Sequence, residues 1–294
     1  MCNSDAPRNF AYLSASESSW EASQVILFCA PFGKSLTYGK GAEKGPRAII
    51  EASQNLELFD LELGVEPSSV GLHTFPTPGE AETSSFRSMD RWVYETAKAI
   101  LGAGKFPILL GGEHSVSLGS IRAAAEVFDD LTILCLDAHA DMRDEYEGNR
   151  FSHACVMRRG LELAGLALVG VRSLCREEYE FLSRTDVFVL TAWDFLNDER
   201  ALDRILESLS GRVYLSVDLD VLDPSEMPSV GTPEPGGLSW SNVLSIIRGV
   251  AEEKEIVASD FVELSPIRGN VAPDFLAAKL IYKTVGYIFL GSQR

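Results

Sequence analysis

Three short segments of this chain concentrate side chains that bind metals. The first, Asp137-Ala-His139-Ala-Asp141, follows the apolar run 131–136. In extended chain, residues i, i+2 and i+4 project to one face. This spacing therefore aims two carboxylates and one imidazole at a single point, with Ala138 and Ala140 small enough for close packing behind. Asp218-Leu-Asp220 repeats the device with two carboxylates after the run 212–217, while Asp223, just before Pro224, reads as a turn residue. Gly111-Gly-Glu-His114-Ser places an imidazole past a tight turn after the run 107–110. A solvated loop with chance charges would explain any one segment, but it explains strict alternation of metal-capable side chains poorly.

Together the segments offer two imidazoles and four carboxylates. Nitrogen plus several hard oxygens suits Mn²⁺ better than a thiolate-preferring ion. Six side chains exceed what one catalytic ion usually takes, so shared carboxylates would bridge two ions about 3.5–4 Å apart. Four aspartates balance two divalent ions; without them the carboxylates would repel and some would take up protons. Such a pair activates water and polarises an electrophile, which is hydrolysis. His153, in the loop after Asp141, is placed to shuttle protons. Glu263, after the run 256–262, can hold a planar cation by paired hydrogen bonds. A surface salt bridge would account for Glu263 alone, but its position on a fourth strand end favours a functional role. The fourth histidine, His73, reads as structural.

The elements that must position these groups are legible as alternation. Strand-like runs lie at 25–29, 107–110, 131–136, 166–171, 187–190, 212–217 and 256–262, several of them apolar throughout, as strands buried on both faces are. Helical patterns lie between them at 87–101, 117–128, 176–182, 200–209, 240–253 and 273–289. The expectation is an α/β three-layer sandwich, a central mainly parallel sheet with helices on both faces, forming one domain over residues 1–294. The Pro/Ser/Gly/Thr-rich stretch 66–85 reads as a surface excursion. In such sheets ligands gather at the carboxyl ends of the strands, where the three motifs fall.

The chain has 294 residues and a formal net charge of −17. That argues against nucleic acid, which needs a basic face, and against an anionic membrane surface. An acidic surface is first of all a solubility device. Five cysteines without C-x-x-C spacing are neither a disulfide framework nor a zinc knuckle, and fit a reducing, cytoplasmic setting. Cys29 and Cys135 read as small core residues. The first residues show neither a basic nor an apolar leader segment, and no apolar run approaches the roughly 18 residues that span a bilayer. Gly33-Lys34-Ser35 imitates the end of a phosphate loop, but Phe28 stands where the first glycine is required and Pro31 removes a backbone N–H. The G-x-G-x-x-G fingerprint of a dinucleotide enzyme is absent.

The set GGEHS, DAHAD, FSHACVMR, SVDLDVLDP, GTPEPGG and VELSP, in that order, with the early TYGKGAEKGPRAI, resembles the ureohydrolase family of arginase and agmatinase over nearly the whole chain. The resemblance implies two Mn²⁺ per chain. One would be held by His114, Asp137, Asp141 and Asp218, the other by Asp137, His139, Asp218 and Asp220. It implies a metal-bridging hydroxide attacking a guanidinium carbon, His153 as proton shuttle, Glu263 clamping the guanidinium and Thr232 lining the pocket. It also implies a homo-oligomer, trimer or hexamer. The loop DMRDEYEGNRFSH looks like the agmatinase version, making agmatine, hydrolysed to putrescine and urea, the expected small cationic substrate, with Glu145 or Glu147 a candidate for its far amine. Two departures stand out. Glu113 replaces the usual Asp, and Pro266-Ile267-Arg268 replaces a Pro-x-Tyr-Asp pattern, which leaves room for aminopropylagmatine, guanidinobutyrate or arginine. A single-zinc deacetylase or a non-catalytic metal-binding protein are the other classes. The full second ligand set opposes the former, and intact His153 and Glu263 oppose the latter.

Overall fold

The computed structural model describes residues 9–291; Cys2 and most of the starting segment read above lie outside them. All seven expected strands form: β1 (Val25–Ala30), β3 (Phe106–Gly111), β4 (Leu131–Leu136), β5 (Gly165–Val171), β6 (Phe188–Thr191), β7 (Arg212–Asp218) and β8 (Glu255–Val262). An eighth, β2 (Leu72–Thr74), pairs along the edge of β1 from within the stretch read as an excursion. The strands join in one parallel sheet in the order β2-β1-β3-β8-β7-β4-β5-β6.

Both faces of this sheet are dry, which is why its strands are apolar without interruption. Successive strand residues point to opposite faces. Val25, Leu27 and Cys29 pack with Ile49 of α1 (Gly45–Ser53), Val243 and Ile247 of α9 (Trp240–Glu253) and Ile281 of α10 (Ala272–Leu290). Ile26, Phe28 and Ala30 pack instead with Met89 and Val93 of α3 (Phe86–Gly102). Ile133 and Cys135 meet Ile121 of α4 (Ser117–Val127) and Val156 of α5 (Val156–Gly160). The result is helix, sheet, helix: the three layers the alternation demands. Further helices are α2 (Glu80–Thr83), α6 (Arg176–Leu182), α7 (Ala192–Asn197) and α8 (Ala201–Ser208). Among the described residues no helix is long and apolar enough to cross a membrane.

Topology does the positioning. β7 and β8 insert between β3 and β4, so the four central strands run β3-β8-β7-β4. Their carboxyl ends carry, side by side, the His114 turn, Glu263, the Asp218–Asp220 pair and the Asp137–Asp141 segment. The turn after β3 also has to slide beneath the loop leaving β1. Only glycine permits this at Gly112, where a Cβ would lie 2.0 Å from the Phe32 carbonyl oxygen.

Candidate metal centre

The six residues singled out as metal ligands converge in space. His114 Nδ1 lies 3.1 Å from Asp137 Oδ2, 3.2 Å from Asp141 Oδ2 and 3.3 Å from Asp218 Oδ2. His139 Nδ1 lies 2.9 Å from Asp220 Oδ2 and 3.6 Å from Asp137 Oδ1. Asp137 thus spans both halves, one oxygen toward each imidazole. All four aspartates and His114 are buried. The carboxylates are oriented by the backbone: Asp218 Oδ1 accepts the Asp220 N–H at 2.9 Å, Asp220 Oδ1 the Ala138 N–H at 3.0 Å, and Asp137 Oδ1 the His139 N–H at 2.6 Å. Asp141 and Glu263 hold positive φ, 51° and 67°, a region that non-glycine residues seldom occupy and that collects at functional sites.

The polar arrangement calls for positive charge, from protons or from metal ions; burial opposes a charged His114, yet Asp137, Asp141 and Asp218 hold it well above its ordinary value. Ser216 Oγ donates to Asp260 Oδ1 at 2.7 Å, so His114 Nε2, 2.9 Å from Ser216 Oγ, must donate to it. A neutral His114 then turns the bare lone pair of Nδ1 toward three carboxylate oxygens, and this buried nitrogen has no hydrogen-bond partner. Such a contact is repulsive unless a positive charge lies between. Protons can supply part of it. Burial opposes a charged His139, yet Asp137 and Asp220 push its pKa up to about 12. Burial, then the charges of Asp220 and Asp137, drive Asp218 well above the usual carboxylate range. Divalent ions supply the charge without protonating ligands. The donor set, imidazole nitrogens and carboxylates within 4.8 Å of one another in the group Asp137, His139 and Asp220, fits them. Cys135, read as a core residue, is buried directly behind Asp137 and His114.

A cavity of about 350 Å³ opens over the centre, lined by His139, Asp141, Asp218, Asp220, His153, Thr232 and Glu263. Glu263 Oε1 accepts the His114 N–H at 2.7 Å, and burial raises its carboxyl to about 8. Glu145 is exposed and does not line this cavity; the neighbouring Tyr146 and Arg143 do, with the Arg143 guanidinium 5.0 Å from the Tyr146 ring centre. Glu147 is exposed as well. His73 lies elsewhere, its Nδ1 2.9 Å from the Ser18 carbonyl oxygen and its ring against Trp20 and Phe75. Asp223 turns the chain as expected, its carboxylate accepting from Ser225, Gly236 and Gly237. The sequence reading missed Ser216 and Asp260 behind His114 and Thr37 beside His153; it named Glu113 only as a departure and Ser35 only within a false phosphate loop, and the structure brings both to His153. The one available signal was alternation in β7, where Ser216 precedes Asp218 by two; Asp260 lies three before Glu263 and had no such signal.

Comparison with known proteins agrees with this geometry. A model of the arginase family matches residues 23–286. The chain is 42% identical over 272 residues to the N(1)-aminopropylagmatine ureohydrolase of Thermus thermophilus, covering 91% of each. It is 36% identical over 276 residues to that of Synechocystis sp., covering 92% of this chain and 90% of the relative. The agmatine ureohydrolase structure of Thermoplasma volcanium superposes with a TM-score of 0.83 at 31% identity, over 96% of this chain and 94% of that one. The motifs, the parallel sheet that carries them and these matches have one reading: the chain belongs to the arginase family and is a ureohydrolase.

Proposed function

We propose that the chain releases urea from the guanidino end of an agmatine-type polyamine, with N(1)-aminopropylagmatine as the first substrate and two Mn²⁺ as cofactor. One observation carries the choice of tail. Past Leu174 and Cys175, which border both spaces, the cavity adjoins a second hollow of about 360 Å³ whose wall carries Tyr179, Glu180 and one cation, Arg176. That gives a long polycation room and a negative partner beyond the reacting end. The names of the Thermus and Synechocystis relatives support the same tail. Agmatine, the first choice from sequence, is the second reading, supported by the name of the Thermoplasma structure.

Asp137, Asp141, Asp218, Asp220, His114 and His139 would hold the metals. Bound there, the ions supply an activated water and a positive field beside the guanidinium carbon. The chain's own residues do the rest. The Glu263 carboxylate, fixed by the His114 N–H, is suited to pair with the guanidinium and set its plane across the centre. Thr232 completes the wall. As the C–N bond to the alkylamine breaks, that nitrogen needs a proton, and His153 in the cavity wall is placed to give it. The reading extends to a trimeric or hexameric homo-oligomer in the cytoplasm, without nucleic-acid or membrane partners.

The test is urea release from N(1)-aminopropylagmatine, agmatine, guanidinobutyrate and arginine by Mn²⁺-loaded protein, with metal counted per chain. The expected order puts aminopropylagmatine first by kcat/KM. Equal or better turnover of arginine overturns the tail assignment. No urea from any of the four, or one zinc per chain with deacetylase activity, overturns the reaction.

A further inference from the structure

Gly33-Lys34-Ser35 fails as a phosphate loop, but its serine has a defined place. β1 and β3 are neighbours, so the loop leaving β1 meets the Gly-Gly-Glu turn leaving β3: the Gly112 N–H bonds the Ala30 carbonyl at 2.9 Å and the Glu113 N–H bonds the Phe32 carbonyl at 2.8 Å. This sets the fully buried Glu113 beside Ser35. The Glu113 carboxylate collects three donors: the Ser35 N–H at 2.7 Å, Ser35 Oγ at 2.8 Å and Ser115 Oγ at 2.6 Å. A hydroxyl has one proton and two lone pairs, and a carboxylate only accepts. The proton of Ser35 therefore goes to Glu113, and Ser35 Oγ must accept in its other contacts. Those are the His153 N–H at 3.1 Å and His153 Nδ1, also at 3.1 Å. Nδ1 must then carry a hydrogen. Nε2 is left with its lone pair, which receives the Thr37 hydroxyl at 3.0 Å.

We propose that Ser35, backed by Glu113, is a positioning residue that fixes His153 in its Nδ1–H tautomer, making Nε2 the nitrogen that exchanges protons with the substrate. The proposal rests on the urea-releasing reading of the site. In that reaction the imidazolium gives its Nε2 proton to the departing amine nitrogen as the C–N bond breaks, and the ring is left as the Nδ1–H form that Ser35 already accepts from. The opposite tautomer would turn the Ser35 proton toward Nδ1 and strip a buried carboxylate oxygen of a charge-assisted bond.

Two measurements test it. The first is a double-mutant cycle on Mn²⁺-loaded protein. Ser35→Ala should lower kcat roughly 10- to 100-fold, a part of what positioned proton transfer supplies, with KM and bound metal unchanged, and Ser35→Thr should restore most of it. In a His153→Ala background, Ser35→Ala should cost nothing further, because the two groups act as one unit. Equal losses in both backgrounds, or a change in KM alone, overturn the proposal. The second does not need turnover. Long-range ¹H–¹⁵N spectra of Zn²⁺-loaded protein at alkaline pH, with the His153 signal identified by its loss in His153→Ala, report which ring nitrogen is protonated. Wild type should show Nδ1–H. Glu113→Gln, whose amide can donate to Ser35 and turn the hydroxyl around, should move the population toward Nε2–H. Nε2–H in wild type, or no change in the variant, overturns it. If no guanidino compound yields urea, the functional reading fails while the spectra still decide the tautomer.

Discussion

Two clusters of charge in this molecule are built around buried groups, and they differ in completeness. Beneath α10, the Lys283 ammonium sits 2.9 Å from Asp60 Oδ2 and 2.7 Å from Glu62 Oε2. Tyr287 and Arg248 also reach Glu62, and the Glu62 and Leu63 N–H groups fill Asp60 Oδ1. Burial pushes the Asp60 carboxyl up, but Lys283 and Leu63 outweigh it and hold it below its ordinary value; burial pushes Lys283 down, and the two acids carry it above. Asp60, Glu62, Lys283 and Arg248 are each driven toward the charged form. At the carboxyl edge of the sheet the groups divide: Asp137, His114 and His139 are driven toward their charged forms, whereas Asp218 is driven toward protonation by burial and then by Asp220 and Asp137, and Asp141 by burial and then by Asp137. A closed cluster stabilises the fold, whereas one whose charges do not close is waiting for an external cation.

The contrast is easiest to break at the open cluster. Asp220→Asn should cut urea release roughly 10³-fold or more, the scale of removing one member of a set that works as a unit, while circular dichroism and the metal-free Tm stay near wild type. Turnover within tenfold of wild type would refute the two-metal reading. Lys283→Met should do the opposite. Removing one partner of a buried pair costs about 3–5 kcal/mol, to be read from denaturant unfolding, and kcat should stay within about twofold. Metal sharpens the difference again. Mn²⁺ at 1,000 times its Kd should stabilise wild type by about 4 kcal/mol, Lys283→Met by as much, and Asp220→Asn by far less.

pH separates the two clusters next. Asp60 has a lowered folded pKa, so its contribution is full above the ordinary carboxylate value and disappears as pH falls through the folded one. Lys283 has a raised folded pKa, so its share is full below the ordinary lysine value and is lost as pH rises through the folded one. The pair's contribution, read as the stability difference between metal-free wild type and Lys283→Met, should therefore hold a plateau between those limits and shrink at both ends. Identical profiles for the two proteins would show that the pair contributes nothing.

Legibility in the sequence divides along similar lines. The strands were readable because burial on both faces writes an apolar run, and β4 falls at the expected residues. β2 was not, because a three-residue edge strand holding His73 has no room for a pattern. α1 was hidden by its Gly-Pro start, and α7 by its shortness. The ligands were readable because extended chain converts a spacing of two into convergence on one point. Ser35 and Glu113 were not: their meeting depends on β1 lying beside β3, a fact of topology that no local spacing records. Glu145 failed for a related reason. An acid in a loop of suitable composition carries no direction, and this one points to solvent.

The smallest expected effect concerns the surface charge. A net −17 attracts a small polycation through water, and salt screens that attraction over about 30 Å at 0.01 M but only about 3 Å at 1 M. Raising ionic strength across that range should lower kcat/KM for aminopropylagmatine about threefold to tenfold and leave kcat alone, since steering acts on encounter. The two clusters should again part company. The Asp60, Glu62, Lys283 and Arg248 set sums to zero and casts little field, so Lys283→Met, one charge removed, should show nearly the wild-type salt slope. Glu180, exposed in the wall of the second hollow, meets Arg184 at 3.9 Å, and Glu180→Gln should flatten the slope. If kcat/KM does not change with salt in any of these proteins, the acidity of the surface serves solubility and has no part in substrate capture.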